Sequence, residues 1–221
     1  MKIYLSPSMQ EANVYSYGNT NEEEQCSKIA EACEKHFKRN GYDVKRAPKG
    51  QSMEKNIEES NSYKADLHIA IHTNAGGGKG PMVMVYSKAA SNLKYANPVY
   101  DALEDNSYSG DGYGVRVGSD ICGYMPAELK DTVAIALYCE CEFHDNATTA
   151  KWITENTDSI AQAIVKGVCK ADGKAYTLPS KTQKLYTVQV GAFAKEENAK
   201  ARLDEAIKAG FKDAFIKITT V

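Results

Sequence analysis

The sequence predicts an α/β fold in which helices flank a mostly parallel β-sheet. Short apolar strand patterns alternate with amphipathic helix patterns over residues 1–171. The chain has 221 residues, of which 43% are hydrophobic and 25% charged, as is usual for a folded protein. At about 150 residues per domain, this length predicts one sizeable domain and a smaller unit. No apolar run approaches the ~20 residues that a membrane-spanning helix requires.

The first half of the chain predicts three strands and two helices. A polar loop over residues 9–21 follows the first strand, and a helix begins near Asn21 with Thr20 and Glu23 as its capping box. Asn40-Gly41 ends this helix. The strands are Lys2–Leu5, Tyr42–Arg46 and Leu67–His72, and the second helix covers residues 51–64.

The second half continues the alternation around one long loop. Two strands, Met82–Tyr86 and Thr132–Phe143, lie on either side of a helix over residues 91–105. Residues 106–124 are rich in Gly, Ser, Asp and Tyr and predict a loop with room for one short strand. A loop of that length in a compact domain is often functional. Asn146 caps a final helix that ends near residue 171.

Residues 172–184 have the composition of a linker and separate a smaller C-terminal unit, residues 185–221. The pattern of this unit predicts a strand over Leu185–Val190, a helix over Lys195–Ala209 and a second strand over Ala214–Ile218. Gly210 ends the helix. About 37 residues are too few to build a stable core alone. We therefore expect the unit to dock on the first domain or to pair with a second copy.

The charge distribution and the cysteine spacing limit the possible partners and the state of the thiols. The net charge is −2, yet residues 174–221 carry nine Lys/Arg and five Asp/Glu. A basic tail on an acidic body indicates either contact with a polyanion or simply a solvated surface. None of the six cysteines forms a C-x-x-C pair, which argues against a zinc ribbon and favours reduced thiols in the core.

Polar residues cluster where the predicted parallel strands end, which is where ligands bind in such sheets. The clusters are Ser6–Gln10, His72-Thr73-Asn74 and Glu140–His144. Glu22 begins the first helix at the same edge, so we expect it to converge with His72 and Glu140. One His with carboxylates is the donor set of a catalytic zinc, and a second Glu can take a proton from zinc-activated water.

Simpler interpretations exist for several of these residues. His68 lies about 13 Å before His72 along the strand, which predicts a structural role. A favourable charge at a helix N-terminus would by itself explain Glu22 and the two glutamates that follow it. Glu140 interrupts an otherwise apolar strand, so its carboxylate needs a partner or a cation.

These segments resemble the motifs of the zinc N-acetylmuramoyl-L-alanine amidases called amidase type 3. Ala70–Ala75 resembles the family segment S-I-H-x-N-A, and Asn21-Glu22 resembles its Glu at a helix start. Glu140–Asn146 resembles E-x-G-F-x-x-N, with Glu142 at the family's Gly. The resemblance covers residues 1–170. It implies cleavage of the amide between the lactyl group of muramic acid and the first alanine of the stem peptide.

The resemblance also implies roles for individual residues. Glu22 and His72 would hold zinc, and Glu140 would be the general base and then the acid. The first strand departs from the family, because Met9 stands where Asp-Pro-Gly-His-Gly has its ligand His. His144, on the strand face of Glu140, is the first candidate for the missing ligand. Gln10 is the second candidate, as a neutral ligand or a substrate contact, and Asn74 would shape the substrate groove.

The segment Tyr186–Phe193 and the helix that follows resemble a SPOR module, a family that binds glycan strands without stem peptides. The resemblance covers about half of a usual module, which favours pairing of two chains into a homodimer. Thr187 and Gln189 share the face that meets sugar in that family. The alternative is a unit that only dimerises. An RNA-binding βαβ module is excluded, because no strand has the aromatic pattern it requires.

The sequence therefore predicts a peptidoglycan amidase, either a phage endolysin or a bacterial autolysin. The N-terminal segment predicts a strand and not a signal peptide, so we expect synthesis in the cytoplasm and holin-mediated release to the wall. We expect no nucleic-acid or membrane partner. The alternatives are a peptidoglycan-binding protein that has lost catalysis, and another zinc hydrolase of wall peptides.

Overall fold

Six strands form one sheet in the first of the two units into which the chain divides, Met1–Pro179 and Ser180–Val221. The computed structural model describes residues 1–178 and 191–218. The strands are β1 (Lys2–Pro7), β2 (Asp43–Arg46), β3 (Leu67–Asn74), β4 (Met82–Val85), β5 (Gly114–Val117) and β6 (Ile135–Phe143). They lie in the order β2-β1-β3-β6-β4-β5, and β4 runs antiparallel to β6 while the other neighbours are parallel. The predicted mostly parallel α/β fold is confirmed.

Helices cover both faces of this sheet. In the first unit they are α1 (Glu22–Arg39), α2 (Met53–Tyr63), α3 (Ala90–Asn106), α4 (Gly118–Cys122), α5 (Ala127–Lys130), α6 (Ala147–Glu155) and α7 (Thr157–Ala171). One face buries alternate strand residues such as Ile69 and Leu137 against α1, α3 and α7 in the main core. The other face, which α2 and α5 contact, carries polar side chains among its buried residues. This polar face positions the candidate site.

Two predicted helix ends differ from the structure. Asn21, and not Thr20, is the N-cap of α1, because its side chain accepts a hydrogen bond from the backbone N–H of Glu24 at 2.9 Å. Thr20 donates instead to the carboxylate of Glu24 at 2.7 Å. The single final helix is in fact α6 and α7, separated at Asn156, whose φ of −126° lies outside the helical range.

The long loop also contains more structure than its composition predicted. Residues 106–124 include β5, which extends the sheet beside β4, and the short helix α4. The six cysteines are free thiols, and Cys26, Cys33, Cys139 and Cys141 lie in the main core. None of the helices in the described ranges is long and apolar enough to cross a membrane.

In the second unit the structure describes one helix, α8 (Glu196–Lys208). Gly210 follows it with a φ of 101°, so the predicted glycine end is confirmed. Residues 214–218 do not form the strand that the sequence predicts. A strand exists only when a neighbour supplies hydrogen bonds, and the predicted neighbour, Leu185–Val190, lies outside the described residues.

Candidate active site

Glu22 and His72 meet at the carboxyl edge of the sheet. The Asn21 cap places Glu22 in the first turn of α1, and His72 lies near the end of β3. The distance from Glu22 Oε1 to His72 Nδ1 is 2.9 Å, and both side chains are buried. The structure thus brings together two of the three residues that the sequence singled out as candidate metal ligands, Glu22 and His72.

The loop after β1 closes over this pair. Asn13 Nδ2 donates to Glu22 Oε2 at 2.6 Å and to Gln10 Oε1 at 2.9 Å. Gln10 Nε2 lies 3.4 Å from His72 Nδ1, so Gln10 reaches the same ring nitrogen as Glu22. Burial alone raises the pKa of Glu22, but hydrogen bonds from His72 and Asn13 lower it below its usual value. Glu22 is therefore a carboxylate at neutral pH.

Glu128 on α5 is a site residue that the sequence analysis missed. Its Oε2 lies 3.4 Å from His72 Nε2 and its Oε1 lies 3.3 Å from His68 Nε2. Ser6 Oγ also donates to Oε1. Burial alone raises the pKa of Glu128, but hydrogen bonds from the two histidines lower it to about 2. His68 is buried in this network, away from Glu22.

His72 thus lies between two buried carboxylates, one at each ring nitrogen. Its ring also stacks on Tyr138, with centroids 4.1 Å apart and planes 15° from parallel. Burial alone lowers the pKa of His72, but Glu128 and Glu22 raise it to about 10. Two carboxylates around one imidazole favour a positive charge at this point, whether a proton or a metal cation supplies it.

Glu140 is placed to act beside this pair. It lies opposite His72 in the register of β3 and β6, and it is half-buried. Its Oε2 is buried and has no hydrogen-bond partner within the described residues. Burial raises the pKa of Glu140 to about 7, with the charge of His72 opposing and that of Glu22 adding. A carboxyl group with such a pKa can both accept and return a proton near neutral pH.

His144 does not join this cluster, and the expectation that it shares the strand face of Glu140 fails. His72 pairs with Glu140 but Asn74 pairs with Phe143, so β6 contains one extra residue in between. This bulge reverses the alternation of faces. His144 Nδ1 donates to the carbonyl oxygen of Thr73 at 3.0 Å, and its ring stacks on Tyr15 at 5.3 Å.

The glycine loop after β3 is fixed by two acidic side chains of the β6 end. The N–H groups of Gly76 and Gly77 donate to Asp145 Oδ2 at 2.7 and 2.8 Å, and the N–H of Gly80 donates to Glu142. Glu142, which stands at the family's Gly, therefore supports this loop. Asn74 lies at its start, half-buried, where its Oδ1 accepts from the N–H of Ala75 at 2.8 Å.

The side chains at this edge of the sheet include groups that zinc binds. An imidazole nitrogen and a carboxylate oxygen are ligands that zinc prefers, and the unpartnered Glu140 oxygen beside them suits activation of a water. No three His, Cys, Asp or Glu side chains in the described part of the chain are arranged to hold a metal. Glu22 and His72 fit zinc as two strong ligands, and the side-chain oxygen of Gln10, which accepts from Asn13 at 2.9 Å, is the neighbouring candidate for a third. Thr187 and Gln189 lie outside the described residues.

Comparison with known families gives two matches. The model described as N-acetylmuramoyl-L-alanine amidase matches residues 10–170, and the SPOR domain model matches residues 182–221. The first match begins at Gln10, after the segment around Met9 where the sequence departs from the motif of that family.

Two curated relatives are similar over most of this chain. An N-acetylmuramoyl-L-alanine amidase of Bacillus licheniformis is 26% identical over 172 residues, which cover 75% of this chain and 62% of the relative. The sporulation-specific N-acetylmuramoyl-L-alanine amidase of Bacillus subtilis is 25% identical over 162 residues, covering 72% and 60%. The matched part thus spans less than two thirds of the length of either relative.

Solved structures share the fold. An N-acetylmuramoyl-L-alanine amidase from Clostridium difficile 630 has a TM-score of 0.67 at 19% identity, covering 78% of this chain and 96% of that one. The amidase AmiC2 of Nostoc punctiforme has a TM-score of 0.69 at 14% identity, covering 79% and 98%. The catalytic domain of the CD27L endolysin has a TM-score of 0.61 at 24% identity, covering 77% and 97%.

Proposed function

Because the chain belongs to the N-acetylmuramoyl-L-alanine amidase family, we propose that it hydrolyses the amide between the lactyl group of N-acetylmuramic acid and L-alanine in peptidoglycan. The observation that carries the proposal is the meeting of Glu22 and His72 beside Glu140, whose Oε2 has no hydrogen-bond partner among the described residues. Asn74 and the fixed glycine loop would form one wall of the substrate groove, and residues 106–124 would contact glycan or peptide. The site of action would be the cell wall.

We propose zinc as the cofactor, held by His72 Nδ1 and Glu22 Oε1. Gln10 is the third ligand in this proposal, through its side-chain oxygen, which would exchange its contact with Asn13 for the metal. His144 is not a ligand, because Thr73 and Tyr15 hold its ring elsewhere. When bound, zinc would polarise the amide carbonyl and lower the pKa of water. The buried carboxylates on both sides of His72 would offset the added positive charge.

Glu140 would move the protons of the reaction. Its unpartnered Oε2 would accept a proton from the attacking water, since the pKa of about 7 leaves much of the group ionised at neutral pH. The same oxygen would then return the proton to the nitrogen of alanine as the amide bond breaks. The products would be a free lactyl carboxyl group and a stem peptide with a new N-terminal alanine.

The test is digestion of purified peptidoglycan with identification of the new end groups. We expect N-terminal alanine to appear with the wild type, and the rate to fall by about 100-fold or more with Glu140→Gln, since a general base contributes on that order. Glu59→Gln is the matched control, because the contacts of Glu59 are with Tyr4 and Lys45 and not with Glu22, His72 or Glu140. New sugar reducing ends or internal peptide cleavage in place of N-terminal alanine would contradict the amidase proposal.

A second candidate function is peptidoglycan binding without cleavage. The observation that favours it is the pair of strong ligands at the site, where a catalytic zinc usually has three. A protein that binds purified walls, holds no zinc and releases no alanine end groups would establish this alternative. About one zinc per chain, with activity lost on chelation and restored by zinc, would exclude it.

For the C-terminal unit we propose binding of glycan strands that lack stem peptides, with residues 172–184 as the linker. The support is the SPOR match over residues 182–221, which includes Thr187 and Gln189. Exposed apolar side chains near α8, among them Phe211 and Phe215, favour pairing with a second copy. Thr187→Ala with Gln189→Ala should weaken retention on stripped glycan, and sedimentation should show a dimer. Unchanged retention would contradict glycan binding, and a monomer would contradict pairing with a second copy.

A further inference from the structure

Glu128 has a position at the site that the amidase motifs do not assign. It lies on the four-residue helix α5 and is 3% exposed. Its neighbour Leu129 packs in a second apolar cluster with Met82, Met84 and Ala136, which fixes α5 on the polar face of the sheet. The carboxylate is therefore held in place by packing as well as by its hydrogen bonds.

The two carboxylate oxygens of Glu128 have different partners. One oxygen, Oε1, accepts from Ser6 Oγ and faces His68 Nε2 at 3.3 Å. The other oxygen, Oε2, faces His72 Nε2 at 3.4 Å. Glu22 faces Nδ1 at 2.9 Å in the same way, and because a carboxylate can only accept, each ring nitrogen of His72 can direct a hydrogen toward its carboxylate. A cation placed between Nδ1 and Glu22 would displace only the hydrogen on Nδ1 and would leave the Nε2 hydrogen with Glu128.

The two ring nitrogens of His72 have different surroundings. Nδ1 is the nitrogen that lies 2.9 Å from Glu22 Oε1, on the side of Gln10. A 180° flip of the ring would keep its stacking on Tyr138 but would break the contacts of both nitrogens, so Glu22 and Glu128 fix which nitrogen faces which carboxylate. In metal sites, a carboxylate that accepts from the second nitrogen of a ligand histidine orients the ring and increases its basicity.

We propose that Glu128 is a positioning residue, which holds the Nε2–H of His72 and so presents Nδ1 to the metal beside Glu22. Ser6 and His68 hold the carboxylate of Glu128 in turn. This inference rests on the proposed function, because it concerns the metal site of that function.

The first test measures zinc affinity by competition with a chromophoric chelator, using the wild type, Glu128→Gln and Glu59→Gln. We expect Glu128→Gln to bind zinc about 10- to 100-fold more weakly, and Glu59→Gln to match the wild type. Thermal unfolding of the metal-free proteins shows whether each variant is folded. Equal zinc affinity of the wild type and Glu128→Gln would overturn the inference and leave the proposed function standing. Absence of zinc binding by the wild type would overturn both.

The second test needs no substitution in Glu128. Nitrogen NMR of the ¹⁵N-labelled, zinc-loaded wild type distinguishes a protonated from a metal-bound ring nitrogen, with His72→Ala for assignment. We expect Nδ1 of His72 to bear the metal and Nε2 to bear a hydrogen protected from exchange. Metal on Nε2 would overturn the inference even where activity is present, since Glu128 would then face the wrong nitrogen.

Discussion

Residues that are neighbours in one sequence motif have different roles at the site. Glu140 and His144 belong to one motif, yet the bulge in β6 places only Glu140 beside His72. Glu142, between them, fixes the glycine loop through the N–H of Gly80. Gly80 has a φ of 93°, and a Cβ added there would lie 1.6 Å from the carbonyl oxygen of Asp111. Glycine is thus required at this contact.

We predict that His144→Ala lowers stability and leaves zinc binding intact. The substitution leaves the buried carbonyl of Thr73 without its donor and removes the stacking on Tyr15. The free energy of unfolding should fall by about 1–3 kcal/mol, while the zinc affinity should equal that of the wild type. Urea unfolding and zinc titration measure the two effects. A large loss of zinc affinity without loss of stability would restore His144 as a ligand.

We predict that Glu142→Gln changes the dependence of stability on pH. Burial raises the pKa of Glu142 in the folded protein, so its contribution is present below its unfolded pKa and is lost as the pH rises through the folded pKa. Glutamine keeps an acceptor for Gly80 but does not ionise. The free energy of unfolding of Glu142→Gln, relative to the wild type, should therefore increase from acid to neutral pH. Each unit of pKa difference corresponds to about 1.4 kcal/mol. A constant difference across the pH range would refute the prediction.

At the scale of elements, the site residues lie at the start of a helix and near the ends of strands, which meet at one edge of the sheet. The N-cap of α1 places Glu22 at the carboxyl edge of the sheet, opposite the end of β3.

We predict that Asn21→Ala lowers the free energy of unfolding by about 1 kcal/mol and also weakens zinc binding, because the first turn that holds Glu22 loses its cap. Asn21→Ser keeps a capping oxygen and should retain both properties. An equal loss in Asn21→Ser would show that the cap is not responsible.

Most elements of the first unit could be predicted from the sequence, because each carries its own periodic pattern or cap. The paired Glu22 and His72 could be predicted because both lie at element ends that the topology brings to one edge. Glu128 could not, since α5 has four residues and shows no periodicity. Its partners His72, His68 and Ser6 are 56, 60 and 122 residues away in the chain. The bulge that moves His144 likewise has no sequence signal, because it depends on the register between two strands.

At the scale of the whole molecule, the two apolar clusters found among residues 1–178 and 191–218 both lie within the first unit. We predict that a chain shortened to residues 1–178 unfolds at the temperature of the full chain and binds zinc equally well, but is retained less on stripped glycan. Calorimetry, zinc titration and a glycan sedimentation assay test the three parts. A markedly lower unfolding temperature would show that residues 179–221 stabilise the first unit, and unchanged retention would show that they do not bind glycan.

The strand order has a consequence for synthesis on the ribosome. β6 lies between β3 and β4, yet it is the last strand of the sheet to be translated. At about 5–20 residues per second, the nascent chain waits several seconds between β3 and β6 with two apolar strand edges uncovered. Glu140 emerges with that last strand. Apolar strand surface is therefore exposed during this interval, and no nascent chain that ends before Glu140 contains a complete site.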